Sequence, residues 1–127
     1  METGYTVYGP VPFTLRIGDV STDLMATHKA YRTNCSAFIT ACNPFSEAFD
    51  VVVNEQRQQA LRLELKKRSL KFLDGVGRHP SSEWPAEPST LVLGLTLEAA
   101  KTLATKFQQN AIIWSARDGK PQLILRR

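Results

Sequence analysis

The fold that this sequence predicts is an α/β (α+β) two-layer sandwich, a mixed β-sheet of five to six strands with three helices mainly on one face. Three observations predict it. Strand-length apolar or alternating runs interleave with three stretches of helical periodicity, in the order β-α-β-α-β, loop, β-α-β-β. No segment repeats and none is of low complexity. The 127 residues, 43% of them apolar, suffice for one domain with a proper core and leave no room for a second.

Each element has its own signal. From Tyr5 to Gly18 apolar and polar residues alternate around Phe13, Leu15 and Ile17, so at least the second half reads as a strand. Ser21 or Thr22 then caps a helix with Leu24, Met25, His28 and Tyr31 on one face. Cys35 to Cys42, built on Ala37-Phe38-Ile39, has the length and apolarity of a central strand. Asn43-Pro44 stops it, because proline cannot donate to a ladder.

Val53 to Arg68 is helical, with Ala60, Leu61 and Leu65 inward and Arg62, Glu64, Lys66, Lys67 and Arg68 largely in solvent. Ser69 to Leu73 reads as a strand with Leu70 and Phe72 facing the core. Asp74 to Pro88, rich in proline and glycine, reads as a long irregular loop. Leu91-Val92-Leu93 is a buried strand ended by Gly94. Thr96 caps a helix striped by Leu97, Ala100, Leu103, Ala104 and Phe107, which Gln108-Gln109-Asn110 terminates, with Asn110 as its C-cap. Ala111 to Ser115, an Asp118-Gly119 turn and Gln122 to Leu125 form a hairpin.

Composition narrows the function. The net charge of +4 comes from 16 basic and 12 acidic residues that are mixed along the chain, which favours anionic partners only weakly. Two cysteines, Cys35 and Cys42, and two histidines, His28 and His79, make neither a disulfide framework nor a zinc set, so no metal and no cofactor is expected. The N-terminal residues lack the pattern of a signal peptide, and no apolar run approaches the roughly 18 residues that span a bilayer, so a cytoplasmic location without a membrane role is expected. The basic residues around Arg57, Arg62, Lys66, Lys67, Arg68 and Lys71 lack interleaved aromatics and read as a solvated face, so nucleic acid is not an expected partner.

The polar run Thr40-Ala41-Cys42-Asn43-Pro44-Phe45-Ser46 lies where a strand passes into a helix, and Asn54 and Arg57 follow at helical spacing. A helix N-terminus attracts anions, and an amide beside a guanidinium suits a bidentate oxyanion. The leading expectation is a domain that binds a phosphate or carboxylate compound, with Thr40, Asn43, Ser46, Asn54, Arg57, Trp84, Glu87 and Gln109 around the ligand. The opposing reading gives the same residues to turns and packing, Arg57 pairing with Glu87 or Asp50 and Trp84 pinning the loop. A protein-interaction or homodimerisation module is the alternative function. An enzyme acting on an anionic substrate, with Glu87 as general base, is the third.

Cys42 as a nucleophile with His79 as its base is the covalent variant to test. No G-x-S-x-G elbow, H-E-x-x-H, P-loop or dinucleotide fingerprint is present, and Gly75-Val76-Gly77-Arg78 falls short of both phosphate motifs.

The segments Phe38-Ile39-Thr40-Ala41-Cys42-Asn43-Pro44, Asn54 with Arg57, Gly75-Val76-Gly77-Arg78, Trp84 with Glu87, Leu91-Val92-Leu93-Gly94 and Phe107 to Trp114 together resemble the bacterial family catalogued as domain of unknown function 3293. The resemblance runs from about residue 5 to the C-terminus. Where that family has an aromatic residue before the Asn-Pro pair, this chain has Cys42. The resemblance supports the fold and the candidate site and implies no particular activity.

Overall fold

The computed structural model of the chain describes residues 4–43, 50–78 and 87–126. Their elements are β1 (Gly4–Val7), β2 (Phe13–Leu15), α1 (Thr22–Ala30), β3 (Ser36–Ile39), α2 (Val51–Lys67), β4 (Lys71–Arg78), β5 (Glu87–Leu93), α3 (Leu97–Lys106), β6 (Ala111–Ser115) and β7 (Gln122–Leu125). The strands make one curled sheet in the order β2-β1-β4-β5-β3-β6-β7. Every neighbouring pair is antiparallel.

The α+β character and the three helices agree with the sequence reading, while the mixed sheet of five to six strands is corrected to an antiparallel sheet of seven among the described residues. The helical crossovers do join strands that run the same way, β3 to β4 through α2 and β5 to β6 through α3. In each case another strand is inserted between them, β5 in the first and β3 in the second, so each strand meets only antiparallel neighbours. The seventh strand arises at the N-terminus. The chain turns back between Tyr8 and Pro12, and Tyr5 pairs with Leu15 in a hairpin; Ile17 lies beyond it, exposed.

Local chemistry sets the helix limits. The side chains of Ser21, Asp50 and Thr96 accept from the amides of Leu24, Val53 and Ala99 at 3.0, 2.8 and 3.2 Å. The Asp50 cap starts α2 at Val51, two residues before the expected Val53. All three helices close alike. Arg32, Ser69 and Gln108 take positive φ values of 55°, 56° and 59°, and the next residue's amide reaches back to His28, Leu65 and Ala104 respectively. The left-handed residue that ends α3 is therefore Gln108, one place beyond the Phe107 C-cap, and the C-cap role expected of Asn110 is corrected.

Alternation divides the sheet's side chains between two cores. On one face α2 and α3 bury Leu61, Leu65, Leu103, Ala104 and Phe107 against Ala37, Ile39, Val92 and Ile112. On the other, Leu24 of α1 packs with Val7, Leu15, Phe38, Leu91, Leu93 and Ile113. Two helices thus lie on one face, in line with helices mainly on one face, and α1 adds a layer on the other. Each fully buried leucine contributes about 1.5–3 kcal/mol. Of the face predicted for α1, Leu24 and His28 are buried while Met25 and Tyr31 are exposed; Ala60 of α2 is likewise exposed.

The irregular loop expected from Asp74 to Pro88 is corrected at its two ends, its middle, 79–86, lying outside the described residues. β4 continues to Arg78 and β5 begins at Glu87, with Gly75 opposite Ser89 and Gly77 opposite Glu87. Glycine is needed at 75 because a Cβ there would press into the Thr6 carbonyl oxygen and lie 3.0 Å from the Phe38 ring. The glycines that suggested a loop are a bed for aromatic rings.

Candidate functional site

β3 leaves the sheet after Ile39, and residues 40–43 would lose their backbone hydrogen bonds if side chains did not take over. Five do so. The Ala41 amide donates to Gln58 Oε1 at 3.1 Å, and the Ala41 carbonyl accepts from Arg57 Nε at 2.6 Å. The Cys42 amide donates to Thr40 Oγ1 at 3.0 Å, while its carbonyl accepts from Gln109 Nε2 at 3.1 Å. Asn43, left-handed at φ 48°, donates its amide to Asn54 Oδ1 at 2.8 Å and receives Asn54 Nδ2 at 2.9 Å. Asparagine tolerates that conformation better than most residues.

The cluster extends into β5. Asn43 Nδ2 donates to Glu87 Oε2 at 2.9 Å, and Thr40 Oγ1 donates to the Pro88 carbonyl at 2.7 Å. Of the sequence-predicted residues, Thr40, Asn43, Asn54, Arg57, Glu87 and Gln109 therefore converge. Ser46 and Trp84, like Pro44 and His79, lie outside the described residues.

Convergence gives these residues different duties. Arg57 directs Nη2 to the Phe107 carbonyl at 2.6 Å and Nη1 to Gln108 Oε1 at 3.4 Å, besides Nε to Ala41. It ties the end of β3 to the end of α3, where the opposing sequence reading paired it with Glu87 or Asp50; Asp50 caps α2. Gln109 also spans these segments through Cys42 and Phe107. Burial pushes the Cys42 thiol up from its ordinary pKa, Glu87 adds to the rise, and the Thr40 hydrogen bond and Arg57 oppose it. A thiol so held has no depressed pKa to make Cys42 a nucleophile, and His79, its expected base, lies outside the described residues.

Thr40, Glu87 and Gln109 also line a cavity of about 200 Å³ on the face of the sheet that carries α1. Tyr5, Phe38, Ile113 and Leu123 give it apolar walls, and Ser89 and Asn110 add polar ones. Tyr5 and Phe38 meet edge to face with centroids 5.5 Å apart. Gly77 opens the floor. A Cβ there would find only ordinary contacts, Tyr5 at 3.7 Å and Ser89 Oγ at 3.9 Å.

Sequence reasoning missed Tyr5, Phe38, Ser89, Leu123 and Gln58 as contributors. Gln58 had a usable signal, since it precedes Leu61 and Leu65 by three and seven residues and so breaks the apolar stripe with an amide. A buried pair away from the pocket was missed as well: His28 Nε2 lies 2.7 Å from Ser36 Oγ, and burial holds the imidazole below its ordinary pKa.

Among the described residues no group of three or more His, Cys, Asp or Glu is placed to hold a metal, and no helix is long and apolar enough to cross a membrane.

Residues 39–112 match the family described as "Protein of unknown function (DUF3293)". The chain belongs to this family. The matched span begins at the last residue of β3 and ends in β6, so it takes in Thr40, Asn43, Asn54, Arg57, Glu87 and Gln109. No curated protein and no solved structure shows significant similarity to the chain.

Proposed function

We propose that this DUF3293 chain is a small-molecule-binding domain whose ligand occupies the cavity between Phe38, Gly77, Glu87 and Leu123. The observation that carries the reading is the convergence of Thr40, Glu87, Ser89 and Gln109 on apolar walls in one recess of about 200 Å³. Drug-sized ligands fill roughly 300–1,000 Å³, so this recess suits a smaller compound.

The anion expected from the sequence relied on Arg57, whose guanidinium is engaged with two carbonyls. The charged side chain among the described lining residues is Glu87, a carboxylate. A compact ligand with an amine or amide donor beside a small apolar part therefore fits better than a phosphate. The two free, buried cysteines accord with a reducing, cytoplasmic setting.

A thermal-shift screen of wild type and Gly77→Ala against amines, amides, nucleosides, sugar phosphates and dicarboxylates tests this. A ligand at a hundred times its Kd adds about 2.7 kcal/mol of stability. Donor-bearing compounds should stabilise wild type and do so less in Gly77→Ala, whose new methyl intrudes on the recess. Stabilisation by anions alone, abolished in a folded Arg57→Ala, would restore the anion site instead.

A further inference from the structure

The hydrogen bonds around the recess are one-sided. Thr40 Oγ1 donates its hydrogen to the Pro88 carbonyl at 2.7 Å, and Ser89 Oγ donates to the Glu87 carbonyl at 3.0 Å. Gln109 Nε2 donates to the Cys42 and Phe107 carbonyls, both at 3.1 Å, so both of its hydrogens are engaged. These lining side chains have spent their donors on the backbone. What each still offers is an oxygen lone pair. A hydroxyl oxygen has two, and Thr40 Oγ1 uses one of them for the Cys42 amide.

Glu87 adds to the same side, because an ionised carboxylate only accepts. Its Oε2 receives Asn43 Nδ2 at 2.9 Å, and Asn43 is fixed in turn by its exchange with Asn54 at 2.8 and 2.9 Å. A relay of two amides from α2 thus holds the carboxylate in place. Arg57 does not offset its charge in the recess: the guanidinium turns to the Ala41 and Phe107 carbonyls and is not among the described lining residues.

Acceptors without matching donors select the ligand. A phosphate or carboxylate meets the Glu87 charge and the lone pairs of Thr40, Ser89 and Gln109. An amide brings a carbonyl oxygen that asks those three residues for hydrogens already given away. A protonated primary amine has three N–H donors and no acceptor. Burying its charge is tolerated only beside an opposite one, which Glu87 supplies.

The strand register separates the two ends of such a ligand. Gly77 pairs with both Tyr5 and Glu87, so the carboxylate stands beside a position without a side chain. Ile113 pairs with both Phe38 and Leu123, which makes an apolar row. Neighbouring strands lie about 4.8 Å apart, so β6 is about 10 Å from β5, with β3 between them. An ammonium at Glu87 therefore leaves room for a short apolar group towards Phe38 and Ile113.

We infer that the recess selects protonated primary amines that carry a short apolar group and no carboxylate, an inference that rests on the small-ligand reading above. Glu87 carries the countercharge, and the oxygens of Thr40, Ser89 and Gln109 are the neutral acceptors.

NMR titration of the full chain at neutral pH with benzylamine, benzyl alcohol, benzamide and benzoate tests the selection, since the four compounds are alike in size. The Ile113 and Leu123 methyls report binding in the recess. Benzylamine should bind wild type at least tenfold more tightly than the alcohol or the amide, and benzoate should not bind. Glu87→Gln, which keeps an oxygen for Asn43, should weaken benzylamine tenfold or more and leave the two neutral compounds as they were. The comparison of ligands on wild type needs no variant to fold. Benzyl alcohol, benzamide or benzoate binding as tightly as benzylamine overturns the selection and leaves the small-ligand reading standing. Benzylamine held equally well by a folded Glu87→Gln does the same. Failure of every compound to move these methyls overturns both.

Discussion

Substituting alanine at the two β4 glycines should have opposite consequences, although they lie two residues apart on the same face of the same strand. At Gly75 the added Cβ meets the Thr6 carbonyl oxygen of β1 well inside contact distance and the Phe38 ring at 3.0 Å. The oxygen belongs to a paired backbone and cannot rotate aside, so β1 must shift or β4 must bend. Overpacking of this kind costs about 1–3 kcal/mol, against a gain of about 0.5–1 kcal/mol for replacing glycine in a strand. The net loss for Gly75→Ala is placed at about 1 kcal/mol, or a fall in Tm of about 3–5 °C for a chain of this size. At Gly77 the new methyl makes contacts at 3.7 and 3.9 Å, so Gly77→Ala should keep or raise stability by up to about 1 kcal/mol. Urea titration followed by circular dichroism, with calorimetry for Tm, measures both. Equal stability of the two variants would refute the claim that β4 continues through these glycines beneath the Phe38 and Tyr5 rings.

Three further outcomes follow from the same geometry. Arg57→Ala strands the Ala41 and Phe107 carbonyls and should lower stability by about 2–3 kcal/mol in urea melts; a loss below about 0.5 kcal/mol would contradict its role as a brace. Ser69→Gly relieves a left-handed residue at the end of α2 and should stabilise by about 1 kcal/mol, read as a higher urea midpoint. His28 is held neutral by burial, with its pKa below 6.5, so its contribution is complete above pH 6.5. As the pH falls below that value the unfolded chain takes up the proton first. Stability then declines by up to about 1.4 kcal/mol per pH unit until the folded-state pKa is passed. Stability measured from pH 7.5 to 5 should slope less in His28→Gln than in wild type, and equal slopes would remove His28 as the cause.

Much of the fold is legible in the sequence because its signals are local. Ser21 and Thr96 cap the helices they were expected to cap, and the Asp118-Gly119 turn joins β6 and β7 at the expected limits. What escaped was set at long range. Nothing near β3 in sequence says that β5 inserts between it and β4, and the insertion makes the sheet antiparallel. Gly75 and Gly77 signal a loop until Phe38 and Tyr5, distant in sequence, are placed over them. The candidate site divides in the same way. The polar residues of the strand-to-helix switch do meet, yet only three-dimensional contact shows that Arg57 and Asn54 hold the backbone while Thr40, Glu87 and Gln109 also face a recess. The apolar walls of that recess come from strands whose residues look like ordinary core.

A fragment screen read from methyl and amide NMR spectra of the wild-type chain asks whether the recess beneath Tyr5 and Phe38 receives a small ligand. Hits should shift the Ile113 and Leu123 methyls and the Gly77 amide together while the Leu61 and Leu65 methyls of the opposite core stay in place. Hits that leave Ile113, Leu123 and Gly77 unmoved, or a screen without hits, would contradict it.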